Sequence, residues 1–444
     1  MTGHGQVTAP ALVLTLDLDG DLPALPPSVH TSALALIRRG RRPIAEVALR
    51  LRDPLTPQIA AGPGLSAAGL RAAVDRALRG LPERAPDEGT PRPSSGELTV
   101  VVTTCGNPDE LARCVDSILA SAGCRPRIVV VDNRPGDPRT RRLIAERYAG
   151  EGRVRLLAEP RRGLSWARNA GIAAADTEFV AWTDDDVVVD PHWAQMLCEA
   201  FTVALDVDLV TGLVRPLELE TPAQVWREVN RGYSKGLSRR VWTMAHPPAD
   251  VPLFPYATGR IGTGANMAGR RERLLALGGF DTRLGAGTPA AGGEDLDLVL
   301  RVLEAGSTVV YEPAAIVAHR HHAQFDDLLA QARDYGIGLS SYLMTVLFSH
   351  PRRIGGIARR APAALRHLAE LRRAGATADG ADPVLAHRMR RAETLGLLTG
   401  VGRDLRHRAG RLVPAPLVPA RFARDRSDGR RGTAPLLARG SRTA

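Results

Sequence analysis

The apolar run Phe179-Val180-Ala181-Trp182 ends in Thr183 and three consecutive carboxylates, Asp184, Asp185 and Asp186. An unbroken apolar and aromatic run favours the interior of a sheet. It therefore predicts a buried strand, covered on both faces, that stops where the chain meets water. Three adjacent negative charges repel one another and are costly to desolvate. Two arrangements answer that cost. One is a solvated acidic turn. The other is a hard divalent cation, Mg²⁺ or Mn²⁺, held by oxygen ligands with its remaining positions left to water or substrate phosphates.

The strand is one of a series. Leu98–Thr103, Ile128–Val131 and Val154–Leu157 are further buried-strand runs. Helical patterns alternate with them over Asn107–Leu119, Arg139–Tyr148 and Ser165–Ala175. Asn107, Pro108 and Glu110 read as N-cap, first turn and capping-box acid. Such alternation implies a largely parallel sheet with both faces covered. In these sheets ligands bind beyond the carboxyl ends of the strands, where Thr103, Thr104, Asp132 and Asp184–Asp186 all fall.

Residues 1–80 read as a small α+β accessory domain, with a hairpin turning at Arg38–Pro43 and a helix capped by Ser66. Residues 81–97 read as a Pro-rich linker, 98–325 as the main α/β domain, 326–415 as a helical extension and 416–444 as a disordered Arg-rich tail. The second half offers Gly259–Gly269 around Asn266, a turn at Gly278–Asp281, the helix Leu296–Ala305 behind Glu294-Asp295, and the strand Thr308–Tyr311 before His319.

With 444 residues, 44% hydrophobic and 24% charged, the chain is globular and long enough for more than one domain. Lys235 is its single lysine. Residues 351–444 carry 21 Arg against 7 Asp and Glu, a balance of +14 within a net charge of +11, so the first 350 residues are slightly acidic. Cys105, Cys114, Cys124 and Cys198 show no Cys-x-x-Cys spacing, which suits a reducing compartment. No run reaches the roughly 18 apolar residues of a membrane span, and no basic leader precedes an apolar segment. The expectation is a cytoplasmic protein, peripheral on the inner face of the plasma membrane through its basic C-terminus and the apolar stretch Leu339–Phe348.

Seven elements in order carry a resemblance: Val101–Thr104, Val130–Asn133, Gly163–Gly171, Asp184–Asp186, Gly264–Met267, Gly278–Asp281 and Glu294–Asp297. Spread over residues 98–322, they resemble the inverting family 2 glycosyltransferases of bacteria. One departure is Asn133-Arg134-Pro135, where the family pattern has a second acid. The resemblance implies a GT-A-type (Rossmann-like), mostly parallel sheet flanked by helices. It implies transfer of a sugar from a nucleotide-sugar donor to a hydroxyl of a cell-envelope glycan or lipid-linked saccharide. Mn²⁺ or Mg²⁺ is implied at the Asp-x-Asp motif, on Asp186 and Asp184 with His319 completing the site. Thr103, Asp132, Arg168, Asn169, Asp184 and Asp185 are implied around the nucleotide, with Arg168 lining its pocket. Asp295 is implied as general base, flanked by Glu294. The loop Gln224–Arg260 offers Trp226, Tyr233, Trp242 and Tyr256 for stacking on sugars.

Two other readings compete. A sugar-nucleotide pyrophosphorylase also uses metal carboxylates on an α/β sheet, but wants a Gly- and Lys-rich phosphate loop, which Thr103–Asn107 is not. A non-catalytic nucleic-acid-binding protein would exploit the basic tail, yet aromatics are 4% of the chain and Phe422 is the only one among residues 351–444, too few to interleave the arginines as stacking platforms. The expected partners are therefore a nucleotide sugar, a saccharide acceptor and an anionic membrane surface, without a specific nucleic acid.

Overall fold

The computed structural model describes residues 7–51, 64–79, 81, 84–349 and 383–409, together with positions 355, 359 and 362. Two sheets account for the described strands. In the first, β1 (Ala11–Asp17) runs parallel to β2 (Ser32–Arg39), which turns back at Gly40 into β3 (Arg42–Arg50). Gly40 takes a left-handed φ of 54°, which a side chain would disfavour in so tight a turn. Helix α1 (Ala67–Leu78) covers this sheet with Leu70 and Val74, and Ser66 caps it by accepting from Gly69 N at 3.1 Å.

The second sheet has nine strands. Its parallel half comprises β4 (Leu98–Thr104), β5 (Arg127–Asp132), β6 (Val154–Ala158) and β7 (Phe179–Asp184), in the order β7-β4-β5-β6. The period-two geometry of a strand splits its side chains between two cores. Val100 and Val102 of β4 face α2 (Pro108–Leu119) and α5 (Trp193–Ala200), whereas Val101 faces α4 (Leu164–Ala174). Helix α2 meets its core through Leu111, Cys114, Val115 and Ile118, a 3.6-residue stripe. Asn107 precedes it without a side-chain cap bond, and Glu110 pairs instead with Arg113 and Arg320. Helix α3 (Pro138–Arg147) crosses between β5 and β6.

The other half of the sheet is mixed, and the sequence patterns do not announce it. Following β8 (Val187–Val189), β9 (Val207–Pro216) and α6 (Pro222–Arg231), the short β10 (Arg240–Trp242) forms the far edge. Strand β11 (Met267–Arg270) inserts antiparallel between β7 and β9. Helices α7 (Arg271–Ala276) and α8 (Glu294–Glu304) lead to β12 (Thr308–His319), three times the length of the strand expected there. Pro313 does not end it. The ladder with β9 slips between Glu312 and Ile316 and resumes as far as His319, a bulge that accommodates the missing N–H. This continuation carries His319 to the edge where β4, β5 and β7 also end.

Helix α9 (Phe325–Ser349) runs alongside α10 (Pro383–Ala409) in the same direction, at a glycine-lined contact of Gly336 with Gly396 and of Gly400 with Ser340. The stretch Leu339–Phe348 lies inside α9. Tyr342 and Val346 are fully buried against Leu300 of α8, while Leu339 and Phe348 remain exposed. Half of that apolar surface is therefore core. Residues 410–444, which include the expected tail at 416–444, lie outside the described residues.

The N-terminal sheet is pinned to the larger one by a buried ion pair. Arg215 Nε of β9 lies 2.8 Å from Glu46 Oε1 of β3, and its Nη1 reaches Thr15 Oγ1 at 3.2 Å. Glu46→Gln leaves a buried guanidinium uncompensated. We expect a loss of about 3 kcal/mol in urea unfolding; an unchanged midpoint would show that the pair does not join the sheets.

Candidate functional site

Beyond the carboxyl ends of β4, β5 and β7 opens a cleft of about 1150 Å³. Of the residues singled out from sequence, it brings together Thr103, Asp184, Asp185, Asp186 and His319. Strand β7 delivers Asp184 at its last position, and Asp185 and Asp186 form the turn into β8. His319 arrives from the end of β12, paired across the ladder with Val187, one residue beyond Asp186. Ligand atoms of Asp184, Asp186 and His319 all lie within 4.8 Å of one another.

The charges at this turn are costly as they stand. Burial, reinforced by Asp186 and Asp184, pushes Asp185 up to about 7 against the 2.6 Å hydrogen bond that Thr104 Oγ1 donates to it. Burial also raises Asp186, opposed by His319. Asp186 Oδ1 sits 3.5 Å from His319 Nε2, and Asp186 Oδ1 and His319 Nδ1 are both buried without a hydrogen bond. Two carboxylates and an imidazole, with orphaned polar atoms between them, fit a divalent cation of the Mn²⁺ or Mg²⁺ kind.

The remaining wall suits an anion. Helix α4 points its N-terminus into the cleft through Gly163 and Leu164, and helix N-termini favour phosphate. Gly163 holds φ at 132°, and a Cβ there would meet the Thr288 methyl at 3.2 Å. Arg134 and Arg162 line the cleft with no ion-pair partner among the described residues. Neither was singled out as a binding group, although both adjoin motifs that were. Asn133, the departure from the family pattern, ties β5 to the α4 turn: its Nδ2 donates to Glu159 O and Arg161 O, and its Oδ1 accepts from Gly163 N.

Five expected residues stand off the cleft wall. Asp132 is buried at the end of β5, where its carboxylate accepts from Arg134 N at 2.9 Å. Burial raises its pKa. Arg168, expected on the nucleotide pocket wall, is 1% exposed beneath it. It donates to Glu294 Oε1 at 2.8 Å, Asp184 Oδ1 at 3.2 Å and Gly264 O at 3.0 Å. Asn169, expected near the nucleotide, instead braces the Gly278–Asp281 turn by exchanging two hydrogen bonds with the Phe280 backbone. Glu294 is buried, and burial together with the Asp295 charge pushes it up to about 7 despite Arg168. Asp295 is half-buried at the first turn of α8, its oxygens accepting from Gly264 N and Leu296 N, each at 2.8 Å.

Of the stacking candidates, Trp242 is core, stacked on Phe254, and Trp226 packs against α9 and α10. Tyr256 packs beside Leu300 and Tyr342. Tyr233 alone lies at the site, its ring centroid 5.5 Å from that of His319. His321, left without a role from sequence, lines the cleft and is held by Glu228 at 2.8 Å.

Arg168 is thus the link between Asp184 and Glu294. Lysine retains the charge but cannot reach three acceptors at once. We expect Arg168→Lys to cost about 3 kcal/mol of stability, read by chemical denaturation; a neutral effect would mean that the carboxylates do not need the fork.

Residues 99–271 match the family model described as glycosyl transferase family 2. The pre-mycofactocin glycosyltransferase of Mycobacterium tuberculosis is 31% identical over 255 residues, 55% of this chain and 48% of that protein, so the chain spans about half the length of that relative. An uncharacterized glycosyltransferase of Mycobacterium bovis is 30% identical over 216 residues, 49% of this chain and 84% of that protein. Among solved structures, the mannosyltransferase PcManGT of Pyrobaculum calidifontis, described in complex with GDP-Man and Mn²⁺, is 21% identical with a TM-score of 0.42, covering 76% of this chain and 93% of that one. The family model covers the chain from β4 to β11, and the M. bovis relative is matched over most of its length: the chain belongs to glycosyltransferase family 2.

Proposed function

We propose that the protein transfers a glycosyl group from a nucleotide-sugar donor to an acceptor hydroxyl, with inversion at the anomeric carbon. The observation that carries the reading is the cleft itself. Two carboxylates and a histidine with orphaned buried atoms face a helix N-terminus and two arginines without ion-pair partners among the described residues. That is a place for a divalent cation and a diphosphate together.

Asp184, Asp186 and His319 would hold the cation, which when bound neutralises charge on the diphosphate as it leaves. The chain's own groups do the rest. The α4 N-terminus, Arg134 and Arg162 orient the diphosphate, and Thr103 lies beside them on the β4 end. Asp185 and Asp132 face the nucleoside half in this reading. Arg168 fixes Asp184 on one side and Glu294 on the other. Asp295, held by the Gly264 and Leu296 amides, accepts the proton of the attacking hydroxyl. Direct displacement with one base accounts for inversion.

The acceptor in this reading is a cell-envelope or lipid-linked saccharide presented at a membrane. No described helix is long and apolar enough to cross one. Support for surface attachment comes from α10, which exposes Leu395, Leu398 and Leu405 beside exposed arginines such as Arg388 and Arg391. The +14 balance of residues 351–444 complements an anionic face, at about 1 kcal/mol per arginine near the surface. The full chain is expected to sediment with anionic liposomes at moderate salt, and a chain truncated after Ser349 is expected to remain in solution. Equal sedimentation of both would remove the C-terminus as the anchor.

Thermal-shift screening against a panel of sugar nucleotides with Mn²⁺ identifies the donor. Turnover with that donor should vanish on chelation and return with Mn²⁺ or Mg²⁺, and Asp186→Ala should weaken donor binding as well as rate. Full activity in excess chelator contradicts the metal assignment. Asp295→Asn should lower the rate roughly 10²-fold or more, the scale of general-base catalysis, with donor binding intact. A product of retained configuration would give Asp295 another role.

A further inference from the structure

The ring of His319 is fixed by something other than a hydrogen bond. Its backbone is held on both sides: it pairs with Val187 of β8 and Pro216 of β9, and its carbonyl accepts from Leu217 N at 2.9 Å. The side chain has no such ties. Among the described residues Nδ1 is buried without a partner, and Nε2 lies 3.5 Å from Asp186 Oδ1. A histidine that ligates a cation ordinarily donates from its second ring nitrogen to a carboxylate, a carbonyl or a water, which fixes the plane of the ring. No described carboxylate or carbonyl does this for Nδ1 of His319.

What stands against the ring is Tyr233. The two centroids are 5.5 Å apart and the planes are tilted by 56°, a spacing at which tilted rings attract. The same tyrosine ring lies 5.7 Å from His321, whose Nε2 is tied to Glu228 Oε2 at 2.8 Å. Tyr233 is itself clamped from two helices. The guanidinium of Arg227, on α6, lies over its ring, 4.4 Å from the centroid. Its hydroxyl shares a 2.6 Å hydrogen bond with that of Tyr335, on α9. Arg227 lies over the Tyr335 ring as well, at 5.7 Å, which closes the cluster. Three residues on, the Gly236 carbonyl accepts from Tyr311 Oη at 2.7 Å and ties down the segment. These contacts decide between two uses of Tyr233. A tyrosine that stacks on a sugar must offer a bare face to the cleft. Here Arg227 covers the ring, and the cleft is lined by His319 and His321 but not by Tyr233. The tyrosine stands behind the histidines.

We propose that Tyr233 is a positioning residue for the cation site: its ring, clamped by Arg227 and Tyr335, sets the orientation in which His319 faces Asp184 and Asp186. The inference rests on the reading of those three residues as cation ligands. The tyrosine does by contact what a hydrogen bond from the second ring nitrogen does in other sites. It also makes cation affinity depend on how α6 and α9 pack, because each helix supplies one half of the clamp.

The test reads binding of the metal alone. Mn²⁺ is titrated into the full chain and the free ion is followed by electron paramagnetic resonance, without substrate or turnover. Tyr233→Ala should weaken Mn²⁺ binding about tenfold, the lower end of what an outer-shell partner contributes. Tyr233→Phe keeps the ring and should bind nearly as the parent does. A double-mutant cycle with His319→Ala separates positioning from a general loosening of the fold: in that background Tyr233→Ala should cost nothing further. Where Tyr233→Ala does not fold, Tyr233→Leu, which fills the space without a flat face, replaces it in the same cycle. Unchanged Mn²⁺ affinity in Tyr233→Ala overturns the proposal, and a selective loss of sugar-nucleotide over nucleoside-diphosphate binding in that variant makes the residue a sugar platform instead. An equal loss with and without His319 overturns it too, since Tyr233 then acts through the fold. If Asp186→Ala and His319→Ala themselves leave Mn²⁺ binding untouched, the cation reading fails and the positioning role falls with it. If they weaken binding and Tyr233→Ala does not, the positioning role alone fails.

Discussion

The buried guanidinium of Arg168 is the interaction on which the site depends. It joins the strand that carries the Asp triplet to the helix that carries Glu294-Asp295, and takes the Gly264 carbonyl between them. Ions in such surroundings each cost several kcal/mol to desolvate, and the cost is met only when counter-charges and hydrogen-bond acceptors converge on them. Here two carboxylates and a carbonyl converge on one fork from sequence positions up to 126 residues apart. Removing the fork would leave both acids to repel each other in the interior. Asp184 and Glu294 hold their relative positions because Arg168 is there.

Other braces do the same work around the cleft. Asn266 accepts from Trp193 Nε1 and donates to the Leu213 and Ala315 carbonyls, locking β9, β11 and β12 where the ladder slips. Asn169 holds the Gly278–Asp281 turn, and Asn133 holds the turn into α4. Buried amides satisfied on both ends specify a single arrangement. The mobile chemistry proposed for the cleft is thereby set on a rigid frame.

The parallel half of the sheet was legible because its strands are continuous apolar runs and its helices carry 3.6-residue stripes. The Asp triplet and Thr103 could be placed for the same reason, at the ends of such strands, whereas His319 came only from the family resemblance. The mixed half was not legible. Strand β11 is four residues, two of them Ala268 and Gly269, and owes its place to pairing on both sides and not to propensity. Strand β12 contains a proline that local rules read as a stop. Arg168 and Asn169 lie in a motif whose spacing shows that they matter but not which way they face. Helix α4 is buried nearly all round, so both turn inward.

The central claim is that Asp184, Asp186 and His319 form a cation site that serves a nucleoside diphosphate. The most direct measurement is an anomalous difference map from crystals grown with Mn²⁺ and the nucleotide selected by thermal shift. The account predicts one strong peak within coordination distance of Asp186 and His319, with the diphosphate reaching toward the α4 N-terminus. A diphosphate in the cleft with Mn²⁺ absent from these residues would contradict it.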